Sequence, residues 1–86
     1  MLVNDKKRLQ WQCRRGMLEL ELLLNDFLEF DYDKLSDEKK VLFEDLLTVI
    51  DPLLFDYLMG MEKPEHDGLR DIVLTIRKST RQRFSH

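Results

Sequence analysis

Very little in this chain is built to make tight turns. It holds three glycines and two prolines in 86 residues, too few for the many sharp connections of a sandwich or barrel. Cys13 is the only cysteine, so no disulfide can form within the chain, which fits a reducing compartment. The glycines are dispersed, at Gly16, Gly60 and Gly68, and no glycine-rich loop exists to cradle phosphates or a dinucleotide. No apolar run approaches the roughly 20 residues of a membrane span; Leu22 to Leu24 is bounded at once by Glu21 and Asn25. The N-terminus lacks the apolar segment of a signal peptide. The histidines, His66 in a loop and His86 at the terminus, have no cysteine or carboxylate at a metal-ligand spacing that suggests a closed site, so no bound metal is expected. Nothing singles out one of the many carboxylates as a general acid, and the expectation is a protein that is not an enzyme.

What the chain does have is helical composition. Leu, Glu, Asp, Lys and Arg dominate. A chain of this length forms one domain, residues 1–86, and buries only about 60–65% of its unfolded surface, which leaves little room for an enclosed active site. The net charge of −3 is unevenly distributed. Lys6, Lys7, Arg8, Arg14 and Arg15 make the start basic, the middle is acidic from Glu29 to Asp56, and Arg70, Arg77, Lys78, Arg81 and Arg83 make the end basic again. Such polarity can steer a charged partner. Nucleic acid is a poor candidate, because phosphate affinity needs net basic charge and the domain as a whole is acidic.

Helical periodicity organises the rest into an all-α fold, a small antiparallel bundle of about five short helices. Asn4 or Asp5 can cap a first helix running to about Arg15, with Leu9 and Cys13 on one stripe. A second, from Met17 to Phe30, places Met17, Leu20, Leu23, Leu24, Phe27, Leu28 and Phe30 on a core face. Leu18 and Leu22 fall among its polar residues: the first helix folds back and covers them, or they are ordinary exposed leucines, or they form an apolar patch beside Glu19 that a partner covers. Ser36 or Asp37 starts a third helix that buries Leu42, Phe43, Leu46, Val49 and Ile50. Asp51 and Pro52 end it and open a fourth, Asp51 as its cap, with Leu54, Phe55, Leu58 and Met59 apolar and Gly60 as the stop. After the loop from Met61 to Asp67, Leu69, Ile72, Val73 and Ile76 mark a fifth helix. Residues 1–4 and 79–86 are expected to be loose.

The stretch around which the chain is organised is the junction Trp11-Gln12-Cys13-Arg14-Arg15-Gly16-Met17-Leu18-Glu19. Gly16 can close one helix and open the next, and Glu19 in the first turn meets the positive end of the helix dipole. That bland reading does not explain why Arg14 and Arg15 stand together beside an indole, although both also fit the negative end of the first helix's dipole. The alternative is a protein-binding surface at Arg15, Gly16 and Glu19, rimmed by Arg8, Trp11 and Arg14, since an aromatic with arginines has the makings of a hot spot.

Trp11, Cys13, Arg14-Arg15-Gly16-Met17 and Glu19-Leu20 resemble the signature of the succinate dehydrogenase flavinylation factors, the SdhE-type FAD assembly factors. Tyr32-Asp33-x-Leu35-Ser36-Asp37, Asp51-Pro52-x-Leu54-Phe55-x-Tyr57-Leu58 and Lys63-Pro64 match as well, so the likeness runs from about Asp5 to Ile76. Glu21 stands where Asp is usual, Tyr57 where Trp is common, and Leu18 where a polar residue is more usual. The resemblance implies a helper that promotes covalent attachment of FAD to the flavoprotein subunit of succinate dehydrogenase and, in bacteria, fumarate reductase. The bond joins a histidine of that subunit to the flavin 8α-methyl carbon. It implies docking through the Arg-Gly-x-x-Glu patch and no stably bound cofactor in the chain itself. A monomer is expected, and the lack of a presequence suggests a bacterial cytoplasm, though a processed mitochondrial chain would look alike. No residue demands a direct flavin contact. A general helical adaptor using the same patch is the competing expectation.

Overall fold

Ser36 shows how local chemistry starts these helices. Its Oγ accepts the Lys39 backbone N–H at 3.3 Å, satisfying one of the donors a helix leaves unpaired at its start. The computed structural model describes residues 5–84. Within them five helices follow in order: α1 (Asp5–Gln12), α2 (Leu18–Phe30), α3 (Asp37–Leu46), α4 (Asp51–Met59) and α5 (Asp67–Phe84), with a short 3₁₀ turn, Tyr32–Lys34, after α2. The fold is all-α, as the periodicity requires. Residues 1–4, expected to be loose, and residues 85–86 lie outside the described set, as does any cap from Asn4.

One core joins the elements. α5 packs against α2, α3 and α4, and α1 lies on α2. Leu20, Leu24, Phe27 and Leu28 of α2 meet Phe43 and Leu46 of α3, Leu54 and Leu58 of α4, and Ile72, Val73 and Ile76 of α5, all buried. Phe43 sits between two rings, Phe27 at 5.4 Å and Tyr32 at 5.5 Å between centroids, in the tilted arrangement aromatics favour. α1 contributes Leu9, and Cys13 follows just past its end. Ion pairs supplement them, among them Lys6 to Asp33 at 3.0 Å and Arg8 to Glu44 at 3.1 Å.

Several expectations are corrected. Phe30 and Ile50 are exposed rather than buried. Phe30 lies about 60° around the helix from Phe27 on the last turn of α2, off the arc that Leu20, Leu24 and Phe27 share. Ile50 is the extended residue before α4, at φ −65° and ψ 150°, and does not continue the α3 face. Asp51 is therefore the first residue of α4 and not its cap. The fifth helix continues to Phe84 instead of ending near Ser79. The apolar pattern stops at Ile76, but Ser79 donates a hydrogen bond to the Asp31 carboxylate and fastens this extension to the end of α2.

Past α4 the chain turns at Gly60, whose φ of 82° is left-handed, and the Arg77 guanidinium lies 2.6 Å from where a Cβ would stand. Arg70 then pins the following loop by donating to Pro64 O at 3.1 Å and Glu65 O at 3.0 Å. His66 Nδ1 accepts the Leu69 N–H at 3.3 Å, giving this histidine a capping task. Replacing Gly60 with alanine should cost about 1–2 kcal/mol, read as a lower urea midpoint at unchanged helix content, because a Cβ disfavours the left-handed conformation.

Candidate functional site

The junction between α1 and α2 is built from its backbone outward. α1 ends at Gln12, three residues before the expected boundary. Cys13 closes it with N–H to Leu9 O at 2.9 Å, and Arg14 N–H reaches Trp11 O at 3.1 Å. Arg14 and Arg15 are thus outside the helix and do not serve its dipole. Gly16 does not adopt positive φ; among the described residues Gly60 is the glycine that does. The reason expected for a glycine here is absent from the fold.

Arg15 points inward, its side chain only 11% exposed. Its guanidinium donates to Leu47 O at 2.5 Å, Val49 O at 3.4 Å and Asp51 Oδ1 at 3.2 Å. The two carbonyls belong to the turn just beyond α3, where a helix leaves acceptors unpaired and its dipole is negative. Arg15 therefore acts as a remote cap for α3. Its Nε is buried without a hydrogen-bond partner. Asp51 completes the clamp by accepting the Gly16 N–H at 3.1 Å on Oδ2. One carboxylate at the start of α4 thereby fixes both a buried guanidinium and the backbone of the junction.

The other expected site residues face outward. Trp11 is 70% exposed, with the Arg14 guanidinium 5.1 Å from its ring centroid, a cation–π arrangement. Arg8 lies one turn earlier and is paired with Glu44. A shallow cleft between Trp11, Arg14 and the end of α3 around Leu47 and Thr48 lies on this side. Glu19 is exposed in the first turn of α2, without a partner among the described residues. It lines a separate apolar groove with Leu22, Leu23, Asp26, Phe55 and Met59. So Gly16, Glu19, Trp11 and Arg14 are presented to solvent, whereas Arg15 supports them from beneath. Sequence reasoning missed Asp51, because a helix-capping task already accounted for it.

Cys13 is fully buried. Burial pushes its thiol up to about 11, against a weaker opposing pull from the Arg15 charge. A thiol so held is protonated at neutral pH and a poor nucleophile. Among the described residues no cluster of three or more His, Cys, Asp or Glu side chains could hold a metal ion, and no helix is long and apolar enough to cross a membrane.

Two outcomes follow from this geometry. Arg15→Ala should lower the unfolding free energy by about 2–3 kcal/mol in urea titration, and Arg15→Lys should recover little of it, since an ammonium cannot span the fork. Above pH 9, the ordinary thiol value, the unfolded chain releases the Cys13 proton while the folded chain keeps it until about pH 11. The unfolded state then binds fewer protons, so stability falls across that window. The pH dependence of the urea midpoint, compared with that of Cys13→Ala, isolates this contribution.

Comparison with known proteins places the chain. A family model described as "Flavinator of succinate dehydrogenase" matches residues 7–80. The chain is 49% identical over 74 residues to a Legionella pneumophila (strain Paris) protein named FAD assembly factor SdhE, covering 86% of this chain and 92% of that one. It is 46% identical over 71 residues to the protein of that name from Idiomarina loihiensis, with 83% and 79% covered. With that from Serratia sp. it shares 42% over 83 residues, with 96% and 94% covered. On a match this extensive, the chain belongs to the succinate dehydrogenase flavinator family.

Proposed function

We propose that this chain docks on the flavoprotein subunit of succinate dehydrogenase, and on that of fumarate reductase where present, and promotes covalent attachment of FAD there. Membership of the family and the names of its relatives support the activity. The observation that carries the docking site is Gly16. Its φ is not one that requires glycine, and a Cβ built there would meet no side chain closer than Asp51 Oδ2 at 3.9 Å. Nothing inside the fold needs a bare backbone at this point, so the need lies outside it. A partner surface that approaches the chain closely at Gly16 supplies that need.

In this reading Glu19 makes a charge-assisted contact to the partner, and Trp11 with Arg14 forms the aromatic anchor. Arg8 exchanges its Glu44 pairing for an acidic group of the partner, and Arg15 keeps the turn in shape. FAD is the reaction's cargo and belongs to the partner; this chain holds no cofactor of its own and catalyses no bond making. It acts by population shift. Binding one arrangement of the flavoprotein more tightly raises the fraction in which the acceptor histidine and the flavin are aligned. Equal affinity for all arrangements would accelerate nothing. The chain works as a monomer in the bacterial cytoplasm, the compartment its single buried thiol and bacterial relatives suit.

The test is co-expression with a succinate dehydrogenase flavoprotein subunit in cells lacking their own factor, followed by in-gel flavin fluorescence after denaturation. The wild-type chain should raise the signal above an empty control, and an unchanged signal rejects the reading. Gly16→Arg should abolish the gain while shifting the urea midpoint by no more than about 0.5 kcal/mol equivalent, as for an exposed surface site. Glu19→Ala should reduce the gain at unchanged helix content. An unfolded Gly16→Arg variant would make Gly16 structural and remove the support for the docking surface.

A further inference from the structure

We infer that the docking surface continues from Glu19 into the groove between α2 and α4, and that this groove receives an amphipathic segment of the flavoprotein with basic residues flanking an apolar ridge. The inference rests on the docking reading above and names which part of the partner the second half of the surface takes.

Leu23 and Phe55, both half-buried, form the base of the groove; Leu22, 57% exposed, and Met59, 44% exposed, form its open apolar walls. Leu18, one turn before Leu22 and 67% exposed, extends the row toward the junction. Isolated exposed leucines are ordinary on a soluble surface, but a contiguous strip lined from two helices is not. The strip also begins where the docking site begins. The Gly16 N–H to Asp51 contact joins the starts of α2 and α4, so both helices leave the same corner. Glu19 is a member of both surfaces.

Charge selects the occupant. Glu19 and Asp26 flank the apolar row, and neither has an ion pair or hydrogen bond to another described residue. They are seven residues apart on α2, about 10 Å along its axis. An apolar segment carrying lysine or arginine at matching separation, two helical turns, satisfies both carboxylates while covering Leu22 and Met59. A second copy of this chain is a poorer fit. Two-fold contact through this face would bring the Glu19 and Asp26 carboxylates of one copy toward those of the other, and like charges oppose such pairing.

Affinity of the full-length chain for the purified flavoprotein subunit, measured by calorimetric titration, tests this. Leu22→Asp and Met59→Asp should each weaken binding about tenfold or more, as loss of a buried apolar contact does at an interface. Asp26→Lys should weaken it and flatten its salt dependence. Val41→Asp, at an exposed apolar position on α3, should leave affinity unchanged. Binding of both groove variants within about twofold of wild type, with Gly16→Arg still failing to bind, overturns the groove assignment and leaves the docking reading intact. A wild-type chain that does not bind the flavoprotein at all removes both. Sedimentation supplies a further outcome: a dimer dispersed by Leu22→Asp at unchanged partner affinity would give the groove to self-association and overturn the proposal. Hydrogen exchange on the wild-type complex guards against variants that misfold. Slowed exchange across residues 22–26 and 55–59 supports the assignment, and unchanged exchange there refutes it.

Discussion

Arg15 and Asp51 form the contact on which the presented surface depends. The guanidinium reaches across from the α1–α2 junction to cap the end of α3, and the carboxylate that holds it also holds the Gly16 backbone. Two helix junctions distant in the chain are thereby fixed to each other. Among the described residues α1 is otherwise held by buried Leu9, by Cys13 just past its end and by peripheral ion pairs such as Lys6 to Asp33, and exposed pairs of that kind contribute little each. The partly buried clamp at its C-terminal end limits how the first helix, and the indole it carries, can move relative to the rest.

This arrangement divides a short motif by depth. Arg15 is enclosed and Gly16 and Glu19 are open, though they lie within five residues. A loop that must present its backbone to another protein has to be stiff without being thick, because any side chain placed above it would stand in the way. Bracing from below by a long planar side chain meets both requirements. Because Arg forks to three oxygens at once, it holds the turn in a way that a point charge could not.

The fold was largely legible in the residues because its signals are local. The spacing of Ile72, Val73 and Ile76, the Ser36 cap and the Gly60 stop each act within a few positions, and each is where periodicity and capping chemistry place it. Ile50 misled because it continues an apolar rhythm after α3 has ended, and Phe30 because the last turn of α2 carries it off the buried arc. The extension of α5 to Phe84 includes a hydrogen bond between Ser79 and Asp31, 48 residues apart, which no local pattern encodes. The site was legible in part. The position of the junction, and the oddity of Leu18 and Leu22 on a polar face, could be read directly. That Arg15 faces inward, and that Asp51 serves the junction rather than its own helix, depends on how α4 is placed against it. Phe55 and Met59 look like core residues in one dimension and line a groove in three.

The buried position of Arg15 has a consequence for genetics. On the proposed docking surface, substitutions at Arg15 and at Glu19 would both weaken the factor, by unlike routes: the first depletes the folded population, the second leaves an abundant protein that engages poorly. A cool growth temperature would restore the former and leave the latter weak, while an excess of the flavoprotein would do the reverse. Lesions four codons apart would thus sort into separate suppressor classes.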